Sequence, residues 1–297
     1  MAPRRPRSPE DPPNLLSRRK FLKNVSLTAA SSLGFGGYGF ANALDLPGVR
    51  RLDLQLPTLP AAWHGLSILQ ISDIHAGPYM DSKRMARIRD LATALAPDLI
   101  VFTGDQMDRR PSDADLFVNG FAGIEAPLGV WGVLGNHDHF IDPKLSEWAL
   151  EAAGIEPLVN SGVVFDRAGS TLALVGLEDL QAGNGRAADF SILSRYPTSF
   201  RICLCHQPQG WHRAAAAGAH LTLAGHTHGG QIALTGRNLN VARFSTRYIA
   251  GPYRREESFL YVSRGVGVGA VPVRVGAPPE IDLLTLRSSV VRKSVAA

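Results

Sequence analysis

Cysteine is nearly absent from this chain, with only Cys203 and Cys205 among 297 residues. A strand would point both thiols to one side at i and i+2 without the geometry to bridge them, so a disulfide framework is excluded. A long hydrophobic run is also missing. The stretch Val25–Phe40 is only mildly apolar, rich in Gly, Ser and Thr, and falls well short of the ~20 strongly apolar residues that span a bilayer. Charge of one sign is missing too, once the N-terminus is set aside. The formal charge of +5 comes from 31 basic and 26 acidic residues. Residues 1–43 hold seven of the basic side chains and two of the acidic ones, which leaves the remaining 254 residues with 24 of each. A neutral body argues against nucleic acid as a partner, because a strand-tracking groove wants a basic stripe. What the chain does have is a hydrophobic fraction of 45%, ordinary for a globular domain and sufficient for a core that needs no staples.

The N-terminal charge belongs to a leader. Ser17-Arg18-Arg19-Lys20-Phe21-Leu22-Lys23 resembles the twin-arginine export signal at each position that defines it. The mildly apolar stretch then reads as a signal h-region, and Ala41-Asn42-Ala43 supplies small residues where a signal peptidase reads. The expected boundaries are a signal peptide over 1–43, cleaved after Ala43, and a domain over 44–297. The resemblance implies the twin-arginine translocase as an export partner and a periplasmic or other extracytoplasmic location. That route carries folded proteins, so a metal can be chosen in the cytosol before the protein meets another metal pool.

Val49 to Leu56 alternates apolar and polar residues as a half-buried strand does. The chain then repeats a short apolar run followed by a tight polar turn. The runs are Leu66–Ile71, Leu99–Phe102, Val130–Leu134, Leu172–Val175, Ile202–Leu204 and Leu221–Leu223. Helical patterns cover Lys83–Leu95, Ala114–Ile124, Pro143–Ala153 and Gly210–Ala217, with Asp142 as an N-cap. Such alternation predicts a layered α/β fold with its functional groups just past the carboxyl ends of strands.

Five motifs fall at those ends: Ser72-Asp73-Ile74-His75, Thr103-Gly104-Asp105, Gly135-Asn136-His137-Asp138, Cys205-His206-Gln207-Pro208 and Gly225-His226-Thr227-His228-Gly229-Gly230. Singly each is weak, since an Asp-x-His pair is often a capped turn. Together they offer hard oxygen and imidazole donors with nothing thiol-based, a set that suits Mn, Fe, Zn or a similar divalent ion. Two close cations suit phosphoryl chemistry, but they repel each other and need a shared carboxylate; Asp105, after a glycine, fits that bridging place. His64, His139, His212 and His220 match no donor position and read as surface or packing residues. Asp179 could face the substrate, but a helix cap before the next segment is the preferred reading. Gly265, Gly267 and Gly269 imitate part of a dinucleotide fingerprint, yet no helix follows, because Pro272 comes next. Arg243, Arg247, Arg254 and Arg255 with Tyr248 and Tyr253 form a loop-like region whose default reading is solvated surface.

The ordered motif set resembles that of the calcineurin-like metallophosphoesterases over Leu66 to Gln231, and Tyr261-Val262-Ser263-Arg264-Gly265 with Pro279-Glu280 looks like the bacterial subgroup with twin-arginine leaders. The resemblance implies a four-layer α/β/β/α sandwich of two mixed β-sheets. It implies two divalent metal ions, with Asp73, His75 and His228 on one, Asn136, His206 and His226 on the other, and Asp105 between them. His137 is then a catalytic residue that stabilises developing charge or protonates the leaving oxygen, and Asp138 orients its imidazole. The expected reaction is in-line attack by a metal-bound hydroxide on a phosphodiester or pyrophosphate of a small-molecule or lipid-linked envelope substrate, with peripheral membrane or wall contact. Alternative readings are an envelope-binding metal protein with little turnover, and a phosphomonoesterase or nucleotide phosphodiesterase on the same fold. Cys205 departs from the Ser that often precedes the third-motif histidine, and reads as a small strand residue rather than a nucleophile.

Overall fold

A computed structural model describes residues 37, 39–183, 185–234, 239–244, 246–269 and 271–289. All but residue 37 lie in the compact unit that begins at Gly39. The Ser17–Lys23 export motif lies outside the described residues.

The chain runs through β1 (Gly48–Leu56), β2 (Ser67–Ile71), α1 (Ser82–Ala94), β3 (Leu99–Thr103), α2 (Asp113–Phe121), β4 (Val130–Val133), α3 (Asn136–Ile141), α4 (Pro143–Ala152) and β5 (Glu156–Pro157). It continues through β6 (Ser161–Arg167), β7 (Ser170–Gly176), β8 (Phe200–Leu204), α5 (Trp211–Ala216), β9 (Leu221–Ala224), β10 (Ala233–Leu234), β11 (Leu239–Asn240), β12 (Gly251–Arg255), β13 (Ser258–Val262) and β14 (Glu280–Ser288). One six-stranded sheet has the order β1-β14-β2-β3-β4-β5 and the other β12-β13-β9-β8-β7-β6. Both are mixed. In the first, β2, β3, β4 and β5 are parallel and β14 enters antiparallel to β2; in the second, β7, β8, β9 and β13 are parallel and each edge pair is antiparallel.

Strand alternation sorts the apolar side chains into layers. Ile68, Val101, Val133 and Leu284 of the first sheet meet Leu172, Phe200, Ile202 and Leu223 of the second in one buried cluster. The sheets therefore pack face to face. Alternate residues of the same strands, Leu69, Ile100 and Phe102, turn the other way onto α1, α2 and α4 through Met85, Ile88, Phe117, Phe121 and Leu150. On the far side Ala173, Val175, Cys203 and Cys205 face α5 and the 190–195 turns. The result is the expected four-layer α/β/β/α sandwich, and burial on both faces is why the strands read as continuous apolar runs. The Phe102–Phe117 and Phe102–Phe121 ring contacts, at 6.1 and 5.1 Å between centroids, anchor the first outer layer, where truncating a Phe to Ala costs about 3–5 kcal/mol.

Local signals were accurate where backbone chemistry decides them. Asp142 accepts from Lys144 N ahead of Pro143, as expected, and Asp81, not singled out from the sequence, caps α1 through Arg84 N. The helix expected over Ala114–Ile124 stops at Phe121, where Ala122 turns extended and Gly123 takes φ +80°.

Residues 39–44 are helical and lie against the body. Ala43 is buried and its carbonyl accepts from Arg84 Nη2 at 3.0 Å. Asn42 Nδ2 donates to the Arg274 carbonyl at 3.0 Å, and Arg274 N to the Gly39 carbonyl at 2.9 Å. Among the described residues no helix is long and apolar enough to cross a membrane.

Candidate metal centre

The parallel strands of the two stacked sheets end at one edge, and the five motif turns meet there. Asp73, His75, Asp105, His226 and His228 have φ of +53°, +49°, +56°, +71° and +50°. These are half of the ten non-glycine residues with positive φ among the described residues. Each such conformation costs roughly 1–3 kcal/mol, and its concentration on five donor side chains marks a site held against local preference.

Three donor groups come within 4.8 Å of one another: Asp73, His75 and His228; His75, Asp105 and His137; and Asp105, His206 and His226. Asp105 stands between the outer groups. Its Oδ2 lies 3.5 Å from His75 Nε2 on one side and 3.3 Å from His206 Nε2 on the other, while Oδ1 accepts from His137 N at 2.9 Å. On the first side His75 Nε2 lies 3.1 Å from His228 Nε2, and His228 Nε2 lies 3.6 Å from Asp73 Oδ1. On the second, His206 Nε2 lies 3.2 Å from His226 Nδ1. Asn136 is buried, and its Oδ1 has no hydrogen-bond partner.

The outer contacts aim these groups. His206 Nδ1 donates to the Thr103 carbonyl at 2.7 Å, which turns Nε2 toward Asp105. Ser72 Oγ donates to Asp73 Oδ2 at 2.7 Å, and Thr103 Oγ1 donates to Ser72 Oγ at 2.7 Å. His226 N donates to both Asp73 oxygens, at 2.9 and 3.1 Å. Two glycines permit the approach. A Cβ on Gly104 (φ +98°) would meet the His206 ring at 2.4 Å, and one on Gly225 would meet Ser72 Oγ at 1.9 Å and Asp73 Oδ2 at 2.3 Å.

The electrostatics are those of a site short of positive charge. Burial pushes the Asp73 carboxyl up in spite of His206. Burial also works against a charged His206, yet Asp105, Asp73 and Asp179 outweigh it and lift the imidazole to about 10. Burial and then the neighbouring His206 charge push His226 down to about 4; burial, His75 and Arg274 push His228 down as well. His206 is thus a proton holder in the bare cluster, and His226 and His228 are neutral donors. Nitrogen and oxygen donors only, a carboxylate that wants a cation and an orphaned amide oxygen fit divalent metal.

The pairing expected between Asp138 and the His137 ring is not formed. The Asp138 carboxylate is fully buried and accepts from Gly135 N at 2.8 Å, Gln106 N at 3.1 Å and Met107 N at 3.3 Å. Burial lifts its pKa to about 7. Two turns carrying donors, the one after β3 and the one after β4, are thereby tied together by one side chain, and at the third position of α3 it turns back to the helix start. His137 is oriented instead by the Asp108 carbonyl, 2.8 Å from its Nδ1. Nothing in Gly-Asp-Gln-Met-Asp marks that carbonyl in the sequence.

Two further residues were not anticipated. Arg274 is fully buried, donates to the carbonyls of Gly267, Ala277 and Arg264, and lies 3.2 Å from His228 Nδ1. It fixes the loop under Asp73 and His228. His139, read as a surface or packing residue, pairs with buried Glu178 at 2.7 Å; Arg186 holds the other Glu178 oxygen at 2.5 Å and also reaches Glu147. Other expectations hold. His64 and His220 accept from backbone N–H groups away from the donors, whereas Asp179, expected as a helix cap, instead caps a turn through Gln181 N. Burial pushes the Cys205 thiol up to about 12, and its Sγ faces the Gln207 carbonyl, so it offers no thiolate. Arg247, Arg254 and Arg255 line a surface hollow with Trp211, His212, Tyr248 and Tyr253.

The family model described as calcineurin-like phosphoesterase matches residues 66–230, the span that contains all five motifs. The chain belongs to this family. It is therefore a metal-dependent phosphoester hydrolase with the family's fold. It is 31% identical over 285 residues to the metallophosphoesterase YkuE of Bacillus subtilis strain 168, covering 92% of this chain and 99% of that one. It is 28% identical over 281 residues to the phosphodiesterase YaeI of Escherichia coli K12, covering 92% and 100%. It is 27% identical over 322 residues to the UDP-2,3-diacylglucosamine pyrophosphatase LpxG of Chlamydia muridarum, covering 88% and 96%.

Proposed function

We propose that this phosphoesterase holds two divalent ions, drawn from Mn, Fe and Zn, and hydrolyses a phosphodiester or pyrophosphate bond of an envelope or lipid-related molecule after export through the twin-arginine translocase. The observation that carries the binuclear reading is Asp105, one carboxylate oxygen of which lies within 3.5 Å of imidazoles from both outer donor groups. Asp73, His75 and His228 would hold one ion, Asn136, His206 and His226 the other, and Asp105 both. When bound, such ions lower the pKa of water and neutralise phosphate oxygens.

The chain's own residues supply the rest. His137 stands edge-on to His75 with 4.5 Å between ring centroids and keeps Nδ1 on the Asp108 carbonyl. With Nδ1–H so engaged, Nε2 is the nitrogen that takes up or gives a proton, as the oxygen of a leaving group requires. Neither His137 Nε2 nor its positioning is needed merely to hold metal, which disfavours a binding protein with little turnover. The substrate class is supported by the names of two relatives, a phosphodiesterase and a UDP-2,3-diacylglucosamine pyrophosphatase, and by the leader.

Elemental analysis of the purified chain and hydrolysis of a bis-aryl phosphodiester test this reading. About two metal equivalents per chain are expected. Asp105→Ala or His228→Ala should abolish turnover with the fold intact; unchanged rates in metal-replete protein would defeat the proposal.

A further inference from the structure

Four large hydrophobic side chains stand exposed on one face: Phe40 at 43%, Leu44 at 39%, Leu46 at 51% and Tyr79 at 41%. With Pro78, Lys83, Arg84 and Arg87 they line a shallow hollow of about 530 Å³, whose one acidic side chain is Asp81. Phe40 and Tyr79 meet edge to face, 6.4 Å between centroids. The arrangement is built rather than loose. Arg84 Nη1 donates to the Tyr79 carbonyl at 2.7 Å and Nη2 to the carbonyls of Ala43 and Asp45, at 3.0 and 2.6 Å.

We infer that this face docks the domain on the surface of an anionic phospholipid bilayer. Exposed apolar side chains rimmed by cations whose stems can lie along apolar surface, with a Tyr among them, have the composition of an interfacial contact. Lys83 and Arg87 are exposed and match a negative leaflet. A second copy of the chain is a poorer occupant, because a two-fold contact would bring Lys83 and Arg87 toward their own copies.

The face is connected to the donor cluster twice. Tyr79 follows His75 by four residues, through a turn closed by Gly77 and Met80. Arg274 takes Asn42 on its carbonyl and stands 3.2 Å from His228 with its guanidinium. The inference extends the envelope reading of the substrate, but vesicle binding is measured without turnover, so either can fail alone.

The test is flotation of the full chain with phosphatidylglycerol-containing and with pure phosphatidylcholine vesicles. Wild type should float with the anionic vesicles. The Leu44→Ser/Leu46→Ser/Tyr79→Ser variant should lose at least about tenfold in partitioning. Lys83→Glu/Arg87→Glu should lose about as much on anionic vesicles and little on neutral ones. Val164→Ser, at an exposed position on β6, should bind as wild type does. Unchanged melting temperature and unchanged hydrolysis of a soluble diester show that the variants are folded. The inference is overturned if both patch variants float like wild type, or if sedimentation finds a dimer that the triple variant dissolves while vesicle binding persists.

Discussion

Replacing Asp105 by Asn removes one charge and almost no volume, and its consequences in the metal-free chain can be worked from the donor distances. Asp105 is the largest of the influences that lift His206 to about 10 against burial, across the 3.3 Å contact with its Nε2. From a normal 6.5 that lift corresponds to about 5 kcal/mol at roughly 1.4 kcal/mol per pKa unit. Asp73 and Asp179 share in it, so losing Asp105 alone should cost about 3 kcal/mol, the lower end for breaking a buried pair. For a domain of this size that is a fall of roughly 6–12 °C in melting temperature. The sign with pH follows from both partners. The raised His206 contributes stability below about pH 6.5 that is lost as pH rises through about 10. The depressed Asp105 contributes above its ordinary 3.8 and loses that contribution in acid. The wild type should therefore exceed the variant most between about pH 4 and 6.5, with the gap closing toward about pH 10. Thermal unfolding in chelator across that range is the assay. A gap independent of pH, or smaller than about 1 kcal/mol, would refute the electrostatic account of the cluster. The same proton competes with metal, so metal affinity in the wild type should climb by up to about tenfold per pH unit between neutrality and pH 9.

His137→Gln should lower kcat by about 10²–10⁴ with metal content unchanged, whereas Asp138→Ala should destabilise the fold by about 3 kcal/mol by stranding up to three buried N–H groups; kinetics with elemental analysis, and chemical denaturation, separate the two roles. Glu178→Gln weakens its contacts with His139 and Arg186 and should cost about 1–3 kcal/mol near neutral pH. That difference should shrink as acid takes the medium down through the depressed Glu178 pKa of about 2, and denaturant titrations at several pH values check it. In an exporting host, Arg84→Ala releases the Ala43 carbonyl and should raise the fraction of chains that begin at Leu44, read by intact mass; an unchanged fraction would show that the docked 39–44 helix does not restrain processing.

The donor turns were legible because their chemistry is local. Asp73, His75, Asp105, Asn136, His206, His226 and His228 sit just past strand ends, four of them (Asp105, Asn136, His226 and His228) beside a glycine, and a strand period of two fixes which of their neighbours face the core. The helix cap at Asp142 is equally local, as it bonds to Lys144 N two residues on. Asp138 illustrates where such reading stops. The family resemblance implied a carboxylate–imidazole pair with His137, but the carboxylate lies where Gly135, Gln106 and Met107 converge, and that convergence depends on how β3 and β4 pair side by side.

Residue types, order and spacing therefore determined the layered α/β class and the inventory of donors. The sandwich decided which donors share a neighbour, that the Asp108 carbonyl rather than Asp138 aims His137, and that Arg274, 46 residues beyond His228, braces it from below. It also decided that β14 lies between β1 and β2 and that Phe40, Leu44, Leu46 and Tyr79 share one face. Periodicity and capping act over a few residues and leave a trace in the chain, whereas contacts across the chain are selected by burial and hydrogen-bond satisfaction, which exist only once the layers have packed.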